Sequence, residues 1–269
     1  LYEAAPLPAR AFTTMLVKVG AYGFMRIVLP VLPDASATLA PLMAGLSIAG
    51  IIYGGALAAT APNLVRALAY SSIAHLGFIG LGIWSLRDQG VQGAVLQMVN
   101  HGITAAALFL LAAYLLRRTG TLEFARLGGL AGRWPVLTWL VLLATLSALG
   151  LPGLNNFVGE FLVVLDAYRA EPIYAVALVG VLLAAVYGIR YFQLLFYGPA
   201  RAEEPERARD LRPAELWPLV PVVVLIVLIG LYPRPVLSTA DSVARQIVAR
   251  PAAVEQAAVP RPWGFLWNR

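Results

Sequence analysis

The chain has 269 residues, of which 60% are hydrophobic and only 13% are charged, a composition typical of a protein that lies largely in a lipid bilayer. Its net charge of +6 does not indicate a nucleic-acid partner, because the arginines cluster between apolar segments instead of forming a basic domain. The absence of cysteine excludes disulfides, iron–sulfur clusters and zinc–thiolate sites from this chain.

Seven segments are long and apolar enough to cross a hydrocarbon core, which takes about 20 helical residues. The fold is therefore predicted to be all-α and polytopic, with about seven transmembrane helices. The segments run over residues 9–30, 38–60, 64–86, 91–116, 135–168, 172–199 and 214–232.

The fifth segment, 135–168, is too long for one straight span, and the stretch ALGLPGLNNF interrupts it. Pro152 removes a backbone donor there, and Gly150 and Gly153 loosen the chain, so we predict a broken helix near Pro152. Broken helices in transporters typically lie at ion or substrate sites.

The distribution of arginines predicts the orientation of the chain. Loops on the side opposite to the N-terminus hold only Arg87, Arg169 and Arg234 before the tail. The positive-inside bias therefore places the N-terminal side in the cytoplasm and, after seven spans, the C-terminus outside. The arginines on the N-terminal side are Arg10, Arg66, Arg117, Arg118, Arg126, Arg133, Arg201, Arg207, Arg209 and Arg212.

The tail after the last span contains PVLSTADSVARQIVAR at 235–250, which predicts an amphipathic helix on the membrane surface. Trp263 and Trp267 suit an interfacial anchor, and a disordered end is the alternative.

Four ionisable residues lie well inside predicted spans: Lys18, His75, His101 and Glu160. A charge at mid-membrane costs about 2.5–3.5 kcal/mol on insertion scales, so such residues normally have a partner or face a water-filled cavity. Lys18 is the only lysine beside nineteen arginines. Because a buried lysine can release its proton and an arginine cannot, Lys18 is predicted to transfer protons. The alternative is a structural ion pair with a carboxylate on a neighbouring helix.

His75 and His101 titrate near neutrality as free side chains and can therefore take and release protons. The alternative for each is a neutral histidine that bonds a carbonyl or packs at a helix interface. Gln97 lies one turn before His101 on the same face, where the two side chains could share a water. No metal site is predicted, because neither helix places a carboxylate at ligand spacing.

Glu160 follows the break by about two turns and is predicted to carry a proton. Asn155 and Asn156 add polar atoms near the break, through which water could reach Glu160. Asp166 lies closer to the helix end and to Arg169, and is predicted to sit at the membrane interface.

The residues around these positions resemble a known family. NLVRALAYSSIAHLGFIGLG (63–82) resembles the signature of the antiporter-like subunits of respiratory complex I and of their Mrp cation/proton antiporter relatives. In LPGLNNFVGEFLVV (151–164), Glu160 stands where other branches usually have lysine, which is similar to the branch of subunit M and mitochondrial subunit 4. APLPARAFTTMLVKVGAYGFMRIVLP (5–30) and QMVNHGITAAALFLLAAYL (97–115) fit the same branch.

The resemblance implies a fourteen-helix fold with two inverted five-helix repeats, of which this chain would supply the eighth helix onward. We therefore expect an upstream part of the protein to precede Leu1. The implied organisation is the last helix of the first repeat with its loop at 1–35, a second repeat at 36–200 with its broken helix at 135–168, a charged cytoplasmic loop and final span at 201–234, and the tail at 235–269.

The resemblance also implies a function: proton translocation in the bacterial cell membrane, as a subunit of the enzyme NADH:quinone oxidoreductase. Lys18 would link two half-channels, His75 and His101 would continue the path, and Glu160 would end it. This chain would hold no cofactor, with FMN, iron–sulfur clusters and quinone in other subunits. Its partners would be other membrane subunits, including neighbouring antiporter-like ones, and the lipid bilayer. The alternatives are a Na⁺/H⁺ antiporter subunit and a structural membrane scaffold.

Overall fold

The computed structural model describes residues 15–199 and 209–258, together with Ala9 and Thr13. The predicted loop residues Arg10, Arg201 and Arg207 and the anchors Trp263 and Trp267 lie outside the described part of the chain.

The described chain is a bundle of helices, which confirms the all-α prediction. A π-helical turn (Phe24–Val28) and a short helical turn (Leu29–Val31) continue the first helix. The helices are α1 (Lys18–Gly23), α2 (Pro33–Thr60), α3 (Leu64–Trp84), α4 (Asp88–Thr119), α5 (Pro135–Ala148), α6 (Asn155–Ala170), α7 (Leu178–Phe196), α8 (Pro213–Leu216), α9 (Leu219–Leu231) and α10 (Arg234–Ala258), with 3₁₀ turns at Phe124–Arg126, Leu130–Gly132 and Pro172–Ala177.

Four helical runs in the described residues are long and apolar enough to cross a membrane: α2, α3, α4 and the run Pro172–Phe196. These four correspond to the second, third, fourth and sixth predicted spans. The seventh differs from its prediction, because α9 has only 13 residues and the chain bends by 69° into α10. A fifth membrane span is present in the described residues only if α9 and the first part of α10 are counted as one bent span.

The fifth predicted span is broken where Pro152 predicted it. Helix α5 ends at Ala148 and α6 begins at Asn155. Between them, Gly150 and Gly153 have φ angles of +69° and +93°, in the left-handed region that favours glycine. Six residues of non-helical backbone therefore separate the two half-helices, which confirms the broken helix.

Glycines bring α4 and α6 into close contact beside this break. A Cβ atom on Gly93 would lie 3.0 Å from the carbonyl oxygen of Gly159, and one on Gly159 would lie 2.7 Å from Oε1 of Gln97. Small residues permit such approaches between helix backbones. As a result, polar side chains of α4 reach those of α6 directly.

The charged loop before α8 ties the end of α4 to the beginning of α5. Asp210 accepts hydrogen bonds from the backbone N–H groups of Val136 at 2.7 Å and Leu137 at 3.2 Å, at the N-terminus of α5. Arg118, near the end of α4, donates to both carboxylate oxygens of Glu215 at 3.2 and 2.6 Å. Since the first N–H groups of a helix lack intrahelical partners, Asp210 acts as a cap supplied by a distant loop.

The tail forms a helix as predicted, but one of its faces packs against the protein. Ala244 and Ile247 of α10 are buried in a cluster that includes Met25 and Leu29. The amide of Gln92 on α4 also donates a 2.8 Å hydrogen bond to Asp241. Contact with α4 therefore positions α10 in addition to any interaction with the membrane surface.

Candidate functional site

Lys18 is buried at the beginning of α1, with only 6% of its surface exposed. One turn earlier, Met15 packs against Gly102 of α4, with its Cγ 3.8 Å from where a Cβ on that glycine would lie. This contact brings Lys18 within electrostatic range of His101, the residue that precedes Gly102.

The two predicted histidines, on different helices, meet face to face. The rings of His75 on α3 and His101 on α4 stack with their centroids 4.6 Å apart and their planes at 27°. Both side chains are buried. The ring nitrogens lie at the edges of the stacked rings, so proton transfer between the two histidines requires a water that contacts both edges.

Glu160 on α6 lies directly against His75. Its Oε1 atom is 3.0 Å from Nδ1 of His75, and both side chains are at least 94% buried. Gln97 donates a second, 2.8 Å hydrogen bond to the same carboxylate oxygen. A carboxylate and an imidazole at hydrogen-bond distance form an acid–base pair between which a proton can move directly.

Tyr187 on α7 extends this pair and was not among the predicted site residues. Its hydroxyl lies 3.5 Å from Nε2 of His75, and the tyrosine also shares a hydrogen bond with Ser71. The sequence signal that could have identified Tyr187 is a tyrosine inside an apolar span, because a buried tyrosine normally finds a partner for its hydroxyl.

A small cavity lies beside the two histidines. It has a volume of about 10 Å³, roughly the space for the centre of one water molecule, and is lined in part by Ser71, Ser72, His75, His101 and Thr104. Within the described residues, Nε2 of His101 has no hydrogen-bond partner. The hydroxyl groups around the cavity can therefore hydrogen-bond a water that also contacts His101.

Asn155 and Asn156, expected to open a route for water to Glu160, are both fully buried. Asn155 instead ties the break to its neighbours, because Ser147 donates to its side-chain oxygen at 2.5 Å and its amide donates to the carbonyl of Asn100 at 3.1 Å. The side chain of Asn156 has no hydrogen-bond partner within the described residues, so it retains the capacity to bind water.

Asp166 is buried within the protein, and its position at the membrane interface stays a prediction. Its Oδ2 accepts a 2.8 Å bond from the backbone N–H of Gly90, and its Oδ1 lies 3.1 Å from Nε of Arg87. Arg169 donates to Gln89 instead. Asp166 thus fastens α6 to the beginning of α4, a tertiary contact that helix position alone does not reveal.

The four predicted site residues therefore converge in one order. Lys18 approaches His101, His101 stacks on His75, and His75 contacts Glu160. Each of the four comes from a different helix, α1, α4, α3 and α6. The arrangement can carry protons laterally through the bundle, ending at the helix that follows the break.

Comparison with known proteins identifies the family to which the chain is similar. The family model described as "NADH:quinone oxidoreductase/Mrp antiporter, TM" matches residues 1–186. The NADH-quinone oxidoreductase subunit M of Pseudomonas aeruginosa is 42% identical over 224 residues, which are 83% of this chain and 44% of that protein. The chain thus spans less than half the length of this relative.

Two solved structures match the fold. A chain of respiratory complex I from Thermus thermophilus with bound NADH superposes with a TM-score of 0.81 at 35% identity, covering 90% of this chain and 52% of that one. A chain of the Mrp complex from Dietzia sp. has a TM-score of 0.85 at 19% identity, covering 94% of this chain and 56% of that one, which shows a shared fold alone.

Proposed function

The chain belongs to the NADH:quinone oxidoreductase/Mrp antiporter transmembrane family, and we propose that it translocates protons as an M-type subunit of a bacterial NADH:quinone oxidoreductase. The observation that carries this function is the buried contact of 3.0 Å between Nδ1 of His75 and Oε1 of Glu160. An acid–base pair isolated from water is costly to maintain in a membrane, and proton relays are a common role for such pairs.

In this mechanism, protons enter from the cytoplasm and reach Lys18. They pass to His101 and His75, with water between the groups that do not touch, and arrive at Glu160. The stacking of His101 on His75 supports this order of steps. Lys18 alternates between its charged and neutral forms, since a permanently protonated group cannot relay a proton.

The energy for translocation comes from quinone reduction elsewhere in the enzyme complex, transmitted as a change in charge or hydration at these four sites. The chain performs no redox step, and FMN, the iron–sulfur clusters and quinone belong to other subunits. Its partners are those membrane subunits, including neighbouring antiporter-like ones, and the lipid around them.

The chain lies in the bacterial cell membrane with its N-terminal side in the cytoplasm and its C-terminus in the periplasm. In this arrangement, 1–35 completes a first repeat, 36–200 forms a second repeat, 201–234 contains a cytoplasmic loop and the last span, and 235–269 is the tail. The cap that Asp210 supplies to α5 supports the assignment of the charged loop to the same side as the start of the broken helix.

The test is Glu160→Gln, introduced into the chromosomal gene so that the chain is carried in its complete assembly. We expect NADH oxidation to continue in membrane vesicles while the proton gradient formed per NADH falls. A gradient equal to that of the wild type would remove Glu160 from the path. Formation of the gradient in sodium-free buffer separates this function from a Na⁺/H⁺ antiporter.

A further inference from the structure

We propose that Gln97 is a positioning residue for the proton step between His75 and Glu160, and that its amide N–H stabilises Glu160 in the state that lacks the proton. This inference rests on the proposed function, because it assigns a role within the same proton path. Gln97 itself cannot titrate and contributes no proton.

The geometry places one amide nitrogen against both partners. Nε2 of Gln97 donates to Oε1 of Glu160 at 2.8 Å and lies 3.5 Å from Nδ1 of His75. The same nitrogen of His75 is 3.0 Å from the same oxygen of Glu160. The three polar atoms therefore form a closed triangle, in a place where Gln97 is completely buried.

The proton step changes which atom needs a hydrogen bond. When the proton moves, the N–H bond at Nδ1 of the His75 imidazolium breaks and an O–H bond forms at Oε1 of Glu160. Before the step, the charged carboxylate of Glu160 accepts the bond from Gln97. After it, the carboxyl group is neutral, its new O–H donates to Nδ1 of His75, and Oε1 is a poorer acceptor for the N–H of Gln97.

The bond from Gln97 is therefore stronger before the proton reaches Glu160 than after it. Because hydrogen bonds to charged groups are stronger than those to neutral groups, this bond favours the state in which Glu160 has released its proton. A methionine of similar length would offer Glu160 no donor. The identity of residue 97 thus tunes the balance of the proton step without taking part in it chemically.

The surroundings of Gln97 determine which end of its amide faces the acid–base pair. Within residues 15–199 and 209–258, its amide oxygen has no hydrogen-bond partner. That oxygen instead occupies the space left by Gly159, where an added Cβ would lie only 2.7 Å away. The nitrogen is held on the side of the acid–base pair because the opposite orientation would set the amide oxygen against the carboxylate.

The chain offers a matched control on the same helix. Gln92 of α4 also donates a 2.8 Å hydrogen bond to a carboxylate, that of Asp241 on α10. This second glutamine–carboxylate pair has no histidine in its hydrogen-bond contacts among the described residues. Gln92→Met therefore removes the same type of bond from the same helix at a place outside the proton path.

The experiment compares Gln97→Met with Gln92→Met in the complete assembly, in membrane vesicles driven by NADH. We expect Gln97→Met to lower the rate of proton translocation about tenfold, the loss that corresponds to one hydrogen bond to a charged group. The solvent deuterium isotope effect on translocation should also rise, because release of the proton from Glu160 becomes rate-limiting. Gln92→Met should leave both quantities at the wild-type values.

Combination with Glu160→Gln distinguishes a role in the proton step from a structural role. If Gln97 acts through Glu160, the double variant should translocate protons no more slowly than Glu160→Gln alone. Where Gln97→Met prevents assembly, Gly159→Ala provides the second variant, since the added methyl displaces the amide without removing it. It should reproduce the higher isotope effect.

Two outcomes would overturn the inference: an unchanged rate and isotope effect in Gln97→Met, or an equal loss in Gln92→Met. These outcomes are distinct from a failure of the proposed function. If the proposed function is wrong, Glu160→Gln translocates protons normally. If only the inference about Gln97 is wrong, Glu160→Gln is inactive while Gln97→Met translocates protons normally.

Discussion

His75 and Glu160 are hydrogen-bond partners, with Nδ1 and Oε1 3.0 Å apart, although they lie on helices separated by the whole of α4, α5 and the break. Beside this contact, α4 and α6 approach each other closely at Gly93 and Gly159. A basic and an acidic group thus meet in the interior of the bundle, where both side chains are at least 94% buried. The following predictions test how this pair and its supports operate.

Lys18→Arg should abolish most proton translocation, by about tenfold or more, because arginine retains the charge but cannot release its proton. The measurement is the proton gradient formed per NADH oxidised in vesicles. Arg26→Lys is the control, since it exchanges the same two residue types at an exposed position of the same helical stretch. Normal translocation by Lys18→Arg would support a scaffold role for this residue.

Tyr187→Phe should slow proton translocation several-fold, because it removes the hydroxyl that lies 3.5 Å from Nε2 of His75. Tyr191→Phe, one turn later on α7, is the matched control. Its hydroxyl donates a 2.9 Å bond to Thr145 and does not reach a histidine. Both variants should lose about 1 kcal/mol of stability, so a difference in translocation rate reports on His75. Equal rates in the two variants would contradict the assignment.

Asp210→Ala should destabilise the chain by about 1–2 kcal/mol, because the first N–H groups of α5 lose their cap. The measurement is the thermal unfolding temperature of the purified assembly. Asp34→Ala is the control, since Asp34 lies exposed in the first turn of α2 and interacts mainly with the helix dipole. An equal fall in the unfolding temperature of both variants would show that the cap on α5 stabilises the chain no more than the exposed Asp34 does.

The stabilisation that comes from the contact between Arg118 and Glu215 should depend on pH. Hydrogen bonds donated by Arg118 lower the pKa of this carboxyl below its ordinary value of 4.5. A group with a lowered pKa contributes its stabilisation above the pKa of the unfolded chain, and the contribution is lost as pH falls through the folded value. Wild type and Glu215→Gln should therefore differ in unfolding temperature at neutral pH and converge as the pH falls below about 4.5.

Parallel pH curves for wild type and Glu215→Gln would contradict this prediction. Asp34→Asn again supplies the control, because its carboxylate is exposed and should not make the unfolding temperature converge in the same pH range.

The sequence by itself indicated the four membrane-length helical runs of the described residues, the break and the four candidate proton carriers. Apolar runs of about 20 residues can hardly fold otherwise in a bilayer, and Pro152 between two glycines cannot continue a helix. The four ionisable residues stand out because a charge in such a run is costly wherever its helix packs. These are local properties, so Lys18 and Glu160 were recognisable without knowing their neighbours.

Only the tertiary structure decided which of these groups touch. The 3.0 Å contact between His75 and Glu160, the hydroxyl of Tyr187 beside that histidine, and the amide of Gln97 on the carboxylate all join different helices. Gln97 was placed correctly on the face of His101, but its partner on α6 was not foreseen. The contact between Asp166 and Arg87 was likewise not foreseen. Helical periodicity gives the direction of a side chain, whereas its partner depends on how closely two helices pack. Between α4 and α6, Gly93 and Gly159 permit this close packing.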